Sequence, residues 1–138
     1  MKRLLAIALL LITAALDADA GGDVRVVIAP RSLAVPRSGT MLFDVYWVNS
    51  GSRAAAIPGA GSYITRYAPL AAPSESRHAI ITGSHPPADR KIGPRAIVRD
   101  VATVDIEPGT PGLLEVGIRF RGHRGEFDSN SAVVRSRR

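Results

Sequence analysis

Glycine and proline break this chain into short segments, and that punctuation constrains the fold more than any other feature. Between the 13 glycines and 10 prolines lie runs rich in valine, isoleucine, tyrosine, phenylalanine and threonine, a composition typical of β-strands bounded by turns. The runs span residues 23–29, 40–49, 53–57, 62–68, 76–82, 95–106, 113–121 and 131–137. Because no segment after residue 20 keeps an apolar stripe at helical spacing, we expect an all-β fold.

Two of these segments alternate with a period of two, which marks strands that have one buried face and one wet face. In residues 40–49 the apolar positions of one face are Met41, Phe43, Val45 and Trp47. In residues 113–121 they are Leu114, Val116, Ile118 and Phe120. We expect each of these two apolar faces to be buried, because large apolar side chains usually are; a ligand site is the alternative for the face with Phe43 and Trp47. Tyr46 lies on the opposite face, where we expect a half-covered ring with its hydroxyl in water; a recognition residue is the alternative.

The first alternating segment stops at Asn49-Ser50-Gly51, and these residues predict a turn. Asparagine and glycine tolerate positive φ, and an asparagine side chain can bond its own backbone. We therefore expect the strand to end at Asn49.

Seven or eight strands in the 118 residues after residue 20 predict a single two-sheet antiparallel β-sandwich; a small β-barrel is the alternative. The stretch FDVYWVNSG (43–51) resembles the second strand of many bacterial immunoglobulin-like domains. VATVDIEPGTPGLLEVGIRF (101–120) is similar to their later strand, Pro-Gly turn and strand. Residues 24–51 also resemble the opening strands of periplasmic pilus chaperones, but a chaperone would need a second domain of similar size. The resemblance implies an immunoglobulin-like β-sandwich of about seven strands over residues 21–138 and carries no site.

Residues 1–20 have the parts of a secretory signal peptide. Lys2 and Arg3 precede an apolar run of 13 residues from Leu4 to Leu16, and Ala18-Asp19-Ala20 offers small residues for cleavage. A membrane-spanning helix needs about 20 apolar residues, so the run is short for an anchor. We expect cleavage after Ala20; an uncleaved anchor is the alternative. No second long apolar run follows, so we expect no transmembrane segment after cleavage.

The chain contains no cysteine, whereas a small secreted eukaryotic domain usually carries disulfides. This composition favours a bacterial exported protein, periplasmic or secreted. The net charge is +6, and it survives cleavage because residues 1–20 hold two basic and two acidic side chains. We expect another envelope protein as the partner, with anionic lipid or polysaccharide as alternatives, and no nucleic acid outside the cytoplasm.

Arginines are concentrated near the end of the sequence. If residues 113–121 pair with residues 131–137 and Val134 points inward, then Arg119, Arg121, Arg135 and Arg137 share one face. This face is the candidate anionic-contact surface. The alternative is a solvated strand face, balanced in part by neighbouring carboxylates in surface ion pairs, whose arginines discourage edge-to-edge aggregation.

Signals for catalysis are sparse. No serine lies in a Gly-x-Ser-x-Gly sequence, and His78, His85 and His123 are spaced in no compact metal-binding pattern. We therefore expect no catalytic, cofactor-binding or metal-binding residues. The loop GSHPPAD (83–89) does offer His85 and Asp89 as a base and its orienting carboxylate.

Two hypotheses of different classes follow. The first is an exported, non-catalytic binding or accessory module of the bacterial envelope. The second is a small secreted hydrolase or ligand-processing enzyme that uses the His85/Asp89 loop. A filled core would favour the module, and a concave apolar cavity that holds His85 would favour the enzyme.

Overall fold

The computed structural model describes residues 23–71, 78–83, 85, 87–107 and 112–136. These residues form ten β-strands and no helix, and none of them belongs to a helix that is long and apolar enough to span a membrane. The strands are β1 (Val24–Pro30), β2 (Thr40–Asn49), β3 (Ala55–Ile57), β4 (Tyr63–Pro69), β5 (His78–Thr82), β6 (Arg90–Ile92), β7 (Ile97–Asp105), β8 (Leu113–Gly122), β9 (Gly125–Asp128) and β10 (Ala132–Arg135).

The strands form three sheets in which every ladder is antiparallel. The first sheet has the order β1-β2-β7, and the second has the order β10-β8-β4-β5 with β9 also paired to β8. Strands β3 and β6 form a short separate ladder. The expected all-β, antiparallel architecture is therefore confirmed, with ten strands in the described residues rather than about seven. Strands β6 and β9 are the two that the sequence does not predict.

The two larger sheets share one hydrophobic core. The alternating residues predicted to face inward on β2 are at most 1% exposed, and those on β8 are at most 6% exposed. The Trp47 ring lies edge-on to Phe120 of the second sheet, with 5.1 Å between centroids. A second edge contact, at 5.4 Å, joins Trp47 to Phe127 of β9. The predicted burial of Trp47 is confirmed, because its side chain fills the space between the sheets.

The opposite face of β2 is covered more completely than its sequence indicates. Tyr46 is only 6% exposed, so the expectation of a half-covered ring is wrong. The reason is the position of β2 in the centre of its sheet, where Tyr46 stands between Val27 of β1 and Arg99 of β7. Neighbours on both sides therefore cover the ring, a condition that the sequence of one strand does not reveal.

Asn49 ends β2 as predicted, and its side chain organises the turn that follows. Its Oδ1 atom accepts a hydrogen bond from the N–H of Gly51 at 3.0 Å. Its Nδ2 atom donates to the carbonyl oxygens of Arg53 at 2.8 Å and Gly93 at 2.9 Å. Asn49 is 1% exposed, and these bonds satisfy its buried amide.

Side chains from outside the first sheet close both of its edges. The Tyr63 hydroxyl on β4 donates to the Thr103 carbonyl of β7 and accepts from the Thr103 N–H, both at 2.9 Å. On the other edge, Asn130 accepts from the Ile28 N–H of β1 at 2.8 Å and donates to the Ile28 carbonyl at 3.2 Å. These bonds occupy backbone groups that an edge strand would otherwise present to another chain.

Candidate functional site

The two arginine-bearing segments on whose pairing the anionic-contact surface depends are neighbours in the second sheet. Strand β10 lies antiparallel to β8, with Val134 opposite Leu114 and Arg135 opposite Leu113. Val134 is 1% exposed and so faces the core. Because side chains alternate along a strand, Arg135 lies on the outer face of the second sheet together with Arg119 and Arg121.

Sharing a face does not bring these arginines together. Arg135 lies opposite Leu113 at the beginning of β8, whereas Arg119 lies near its end. The six-residue separation along β8 corresponds to about 20 Å. Arg137 lies outside the described residues, so its part in the anionic-contact surface stays a prediction.

Arg119 is held by two carboxylates of β9. Its Nε donates to Asp128 Oδ1 at 2.7 Å and its Nη2 donates to Asp128 Oδ2 at 3.1 Å, a two-pronged ion pair. Glu126 Oε2 lies 3.5 Å from Arg119 Nη1. These ion pairs agree with the alternative interpretation, a strand face whose arginines are partly balanced by neighbouring carboxylates.

The same ion pair sets the protonation behaviour of Asp128. Its hydrogen bonds from Arg119 lower the pKa of the carboxyl below the ordinary value, and partial burial opposes that effect only in part. The charge of Arg66 adds a further lowering of the Asp128 pKa. Asp128 therefore stays ionised, and an external anion would have to compete with it for Arg119.

Arg121 serves to connect segments of the second sheet. Its Nη2 atom donates to the carbonyl oxygen of Gly83 at 3.0 Å and to Ser62 Oγ at 3.3 Å. Its Nε atom is buried and has no hydrogen-bond partner among the described residues. The guanidinium thus joins β8 to Ser62, just before β4, and to Gly83, just after β5. Because these bonds use its donors, Arg121 is poorly placed to bind a ligand.

The structure does not join His85 to Asp89. His85 is exposed, and Asp89 Oδ1 instead accepts a hydrogen bond from the His123 N–H in the β8–β9 turn at 2.9 Å. No hydrogen bond or ion pair between His85 and Asp89 occurs within the described residues. The same part of the chain contains no group of three or more histidine, aspartate or glutamate side chains that could hold a metal ion. Within the described residues, His85 and Asp89 therefore do not form the pair of base and orienting carboxylate that the enzyme hypothesis requires.

A different feature emerges at the Arg135 end of the second sheet. An open, largely apolar groove of about 410 Å³ lies there, and we name it the Leu113 groove. Leu33 in its lining is 74% exposed, Leu113 is 44% exposed and Val133 is 45% exposed. The lining residues are Leu33, Ala34, Leu113, Val133, Val134 and Arg135.

Backbone pairing builds this groove from distant parts of the sequence. Ala34 forms an isolated parallel bridge with Arg135, in which the Val35 N–H donates to the Arg135 carbonyl at 2.8 Å and the Arg135 N–H donates to the Leu33 carbonyl at 2.7 Å. Residues 33–35 thereby cover the outer edge of β10. Sequence reasoning missed the groove, although Leu113 offered a signal: if Leu114 faces inward, its neighbour Leu113 must face outward.

A second, smaller depression of about 160 Å³ lies on the outer face of the second sheet. Gly117 is part of its lining, and an added Cβ atom there would meet nothing within 4 Å. Arg119 and Asp128 in its wall already bind each other. The depression therefore presents a closed ion pair rather than a free charge.

Comparison with solved structures shows the fold alone. The chain is similar to the sporulation control protein Spo0M from Bacillus subtilis, with a TM-score of 0.54 and 13% identity, over 85% of this chain and 50% of that one. It is also similar to the alkylpurine DNA glycosylase AlkC from Pseudomonas fluorescens bound to DNA containing an abasic site analog, with a TM-score of 0.53 and 11% identity. That similarity covers 86% of this chain and 31% of AlkC. This chain thus spans half the length of the first structure and less than a third of the second.

No protein-family model matches the chain, and no curated protein matches it.

Proposed function

We propose that this chain is an exported, non-catalytic binding or accessory module of the bacterial envelope, built on one immunoglobulin-like β-sandwich. The observation that carries this proposal is the Leu113 groove, an exposed apolar surface on a domain whose interior is filled. Clustered exposed apolar side chains are typical of interaction sites, whereas single ones are common on any soluble surface.

The filled interior supports binding over catalysis. Twenty buried hydrophobic side chains of the described residues form one continuous cluster, which includes Trp47 and its aromatic contact with Phe120. Among the described residues, Arg135 is the one charged side chain that lines the Leu113 groove. A guanidinium stays protonated in proteins and offers donors only, so it binds anions but does not act as a general base.

The sequence supports the proposed location. Residues 1–20 combine a basic start, an apolar run and small residues before a cleavage point. An exported domain without cysteine does not depend on disulfides, and a core of this size is sufficient for a domain of about 120 residues. On this proposal the exported form begins at Gly21, and its intact mass tests that start.

The proposed function is tested with the form purified after expression of the full chain in a bacterial host. We expect saturable binding to envelope fractions and a marked loss of binding in Leu113→Ser. Leu42→Ser is the matched control, because Leu42 is similarly exposed at 41% but lies on the first sheet. Absence of saturable envelope binding by the unmodified protein would overturn the proposal. A hydrolytic activity that His85→Ala abolishes without unfolding would replace it with the enzyme hypothesis.

A further inference from the structure

We propose that the partner of the Leu113 groove is the surface of an anionic lipid bilayer, an assignment that rests on the proposed function and names its ligand. Leu33, Leu113 and Val133 enter the boundary between headgroups and acyl chains, and Arg135 contacts lipid phosphates. Three features carry the assignment: clustered apolar side chains, hydrogen-bonded backbone groups beside them, and basic residues in the groove and in the sequence that follows it.

The apolar side chains gather at one end of the second sheet. Leu33 projects furthest, at 74% exposure, and Leu113 and Val133 stand beside it at 44% and 45%. Leu70 extends the same surface at 41% exposure, since its backbone N–H donates to the Leu113 carbonyl at 2.9 Å. Protruding leucines around an open groove suit a deformable apolar medium, and a polysaccharide would leave them uncovered.

Several backbone groups at this end are already hydrogen-bonded within the protein. Apolar side chains can enter a bilayer only if the nearby N–H and C=O groups are already bonded, because unsatisfied groups are costly there. The N–H groups of Val35 and Arg135 bond across the parallel bridge, at 2.8 and 2.7 Å. The Ser136 N–H donates to the Gly112 carbonyl at 2.8 Å. Partial insertion would therefore leave these three N–H groups hydrogen-bonded.

The charges at this end complement an anionic surface. Arg135 is part of the groove lining, and a long arginine side chain can keep its guanidinium at headgroup level while its aliphatic part contacts apolar groups. Glu115 lies opposite Val133 in the ladder, beside the groove. In the sequence, residues 135–138 contain three arginines and no carboxylate side chain, and anionic headgroups attract basic segments of this kind.

Co-sedimentation with vesicles tests the assignment directly. We expect binding to vesicles that contain equal parts of phosphatidylglycerol and phosphatidylcholine, and much weaker binding to phosphatidylcholine alone. Leu33→Ser with Leu113→Ser should lower the anionic-vesicle partition coefficient by about tenfold or more, because it removes the apolar contacts. Arg135→Ser should lower that coefficient by about fivefold. Raising the ionic strength to physiological values should weaken binding, since the Debye length falls to about 8 Å.

Matched variants on the first sheet control for general surface effects. Leu42→Ser with Val101→Ser removes two apolar side chains that are 41% and 49% exposed, and Arg25→Ser removes one exposed charge. Both control variants should bind anionic vesicles as the unmodified protein does. Circular dichroism and the emission of Trp47, the only tryptophan, verify that every variant is folded.

A fluorescent probe locates the contact independently of binding strength. Because the chain has no cysteine, Leu33→Cys gives a single thiol for an environment-sensitive label, and Leu42→Cys gives its control. Anionic vesicles should shift the label emission to the blue at residue 33 and leave it unchanged at residue 42. Equal shifts at both positions, or no shift at residue 33, would overturn the assignment.

The outcomes also separate this inference from the proposed function. If the groove variants lose binding to envelope fractions while the unmodified protein fails to bind either vesicle type, the partner is a protein. The lipid assignment is then wrong and the binding module stands. If the unmodified protein binds neither envelope fractions nor vesicles, the proposed function itself fails.

Discussion

Trp47 donates its indole N–H to the Oδ2 atom of Asp100 over 3.1 Å, although the side chain of Trp47 is only 1% exposed. The same carboxylate accepts two hydrogen bonds from Arg90 of β6, at 2.6 and 3.1 Å. Arg90 also donates to the carbonyl oxygen of Pro58. The indole N–H of the largest core side chain is thus hydrogen-bonded. The carboxylate that accepts this bond also pairs with Arg90, and that ion pair anchors the short strand β6.

We expect Trp47→Ala to lower the free energy of unfolding by about 3–5 kcal/mol, the usual cost of truncating a packed aromatic side chain. The loss combines the edge contacts with Phe120 and Phe127 and the hydrogen bond to Asp100. Urea unfolding followed by circular dichroism measures it. Trp47→Phe keeps part of the packing and should cost less. Native emission of the unmodified protein at the wavelength of water-exposed indole would contradict the buried position.

Arg90→Met should lower the free energy of unfolding by about 1–3 kcal/mol, because it leaves the Asp100 carboxylate partly buried without its cation. The two side chains are 34% and 17% exposed, so solvent screens part of the interaction. Arg31→Met is the matched control. Arg31 is 42% exposed, and its partner Asp44 keeps Arg99, so the loss should stay under about 1 kcal/mol. Equal losses in the two variants would show that the Asp100 ion pair has no special structural role.

The ion pairs of Asp44 and Asp128 predict acid sensitivity. Burial raises the pKa of Asp44, but hydrogen bonds from Arg99 and Arg31 outweigh that effect, and the pKa lies below its ordinary value of 3.8. The Arg119 pair lowers the pKa of Asp128 in the same direction. A carboxyl whose pKa is lower when folded than when unfolded stabilises the fold above the unfolded pKa. That contribution is lost as the pH falls through the folded pKa.

The free energy of unfolding should therefore decrease as the pH is lowered below about 4. Asp44→Asn and Asp128→Asn should each reduce stability at pH 7 and flatten this decrease. Urea titrations at pH 7 and at pH 3 provide the comparison. A decrease of the same size in the unmodified protein and in both variants would show that other groups cause the acid sensitivity.

Replacing glycine by alanine should have opposite effects on stability at Gly117 and at Gly39. At Gly117 an added Cβ atom meets nothing within 4 Å, so Gly117→Ala should stabilise the fold by about 0.4–1 kcal/mol through the unfolded chain. Gly39 has a φ of +79°, and its added Cβ atom would lie 2.8 Å from the Ile106 carbonyl oxygen. Gly39→Ala should destabilise the fold by more than that gain. Thermal melting of the two variants decides the sign at each position.

Eight of the ten strands in the described residues were predictable from their own composition, whereas β6 and β9 were not. Strand β2 is bounded at residues 40 and 49 in the sequence prediction and in the structure alike, because its own side chains select the buried face. Strand β9 reads Gly-Glu-Phe-Asp and shows no alternation. It forms because it pairs with β8, which also brings Phe127 to Trp47.

The same distinction applies to the surface. Arg119 and Asp128 are nine residues apart in the sequence, and surface ion pairs between the late arginines and neighbouring carboxylates were an alternative that the sequence offered. The Leu113 groove was not predictable, because it depends on the bridge between Ala34 and Arg135, which come from opposite ends of the chain. Local patterns specify local pairs, whereas a groove built by long-range pairing appears only in the folded chain.

The hydroxyl of Tyr63 provides the last prediction, because it closes an edge that would otherwise be open. It donates to the Thr103 carbonyl and accepts from the Thr103 N–H, both at 2.9 Å. Tyr63→Phe removes both bonds while keeping the ring, so the free energy of unfolding should fall by about 1–3 kcal/mol. The freed backbone groups of β7 also offer an edge for pairing with a second chain, so the variant should associate more readily at high concentration.

Tyr46→Phe is the matched control for Tyr63→Phe. Tyr46 is buried to a similar extent, at 6% against 5% exposure, but within the described residues its hydroxyl makes no hydrogen bond. Removing the Tyr46 hydroxyl should therefore leave the free energy of unfolding and the self-association of the protein nearly unchanged. Urea unfolding and light scattering at increasing protein concentration separate the two effects. If Tyr63→Phe is destabilised yet stays monomeric at every concentration, the hydroxyl joins the sheets without protecting the edge. If the two variants behave alike, the paired bonds to Thr103 contribute nothing measurable to either property.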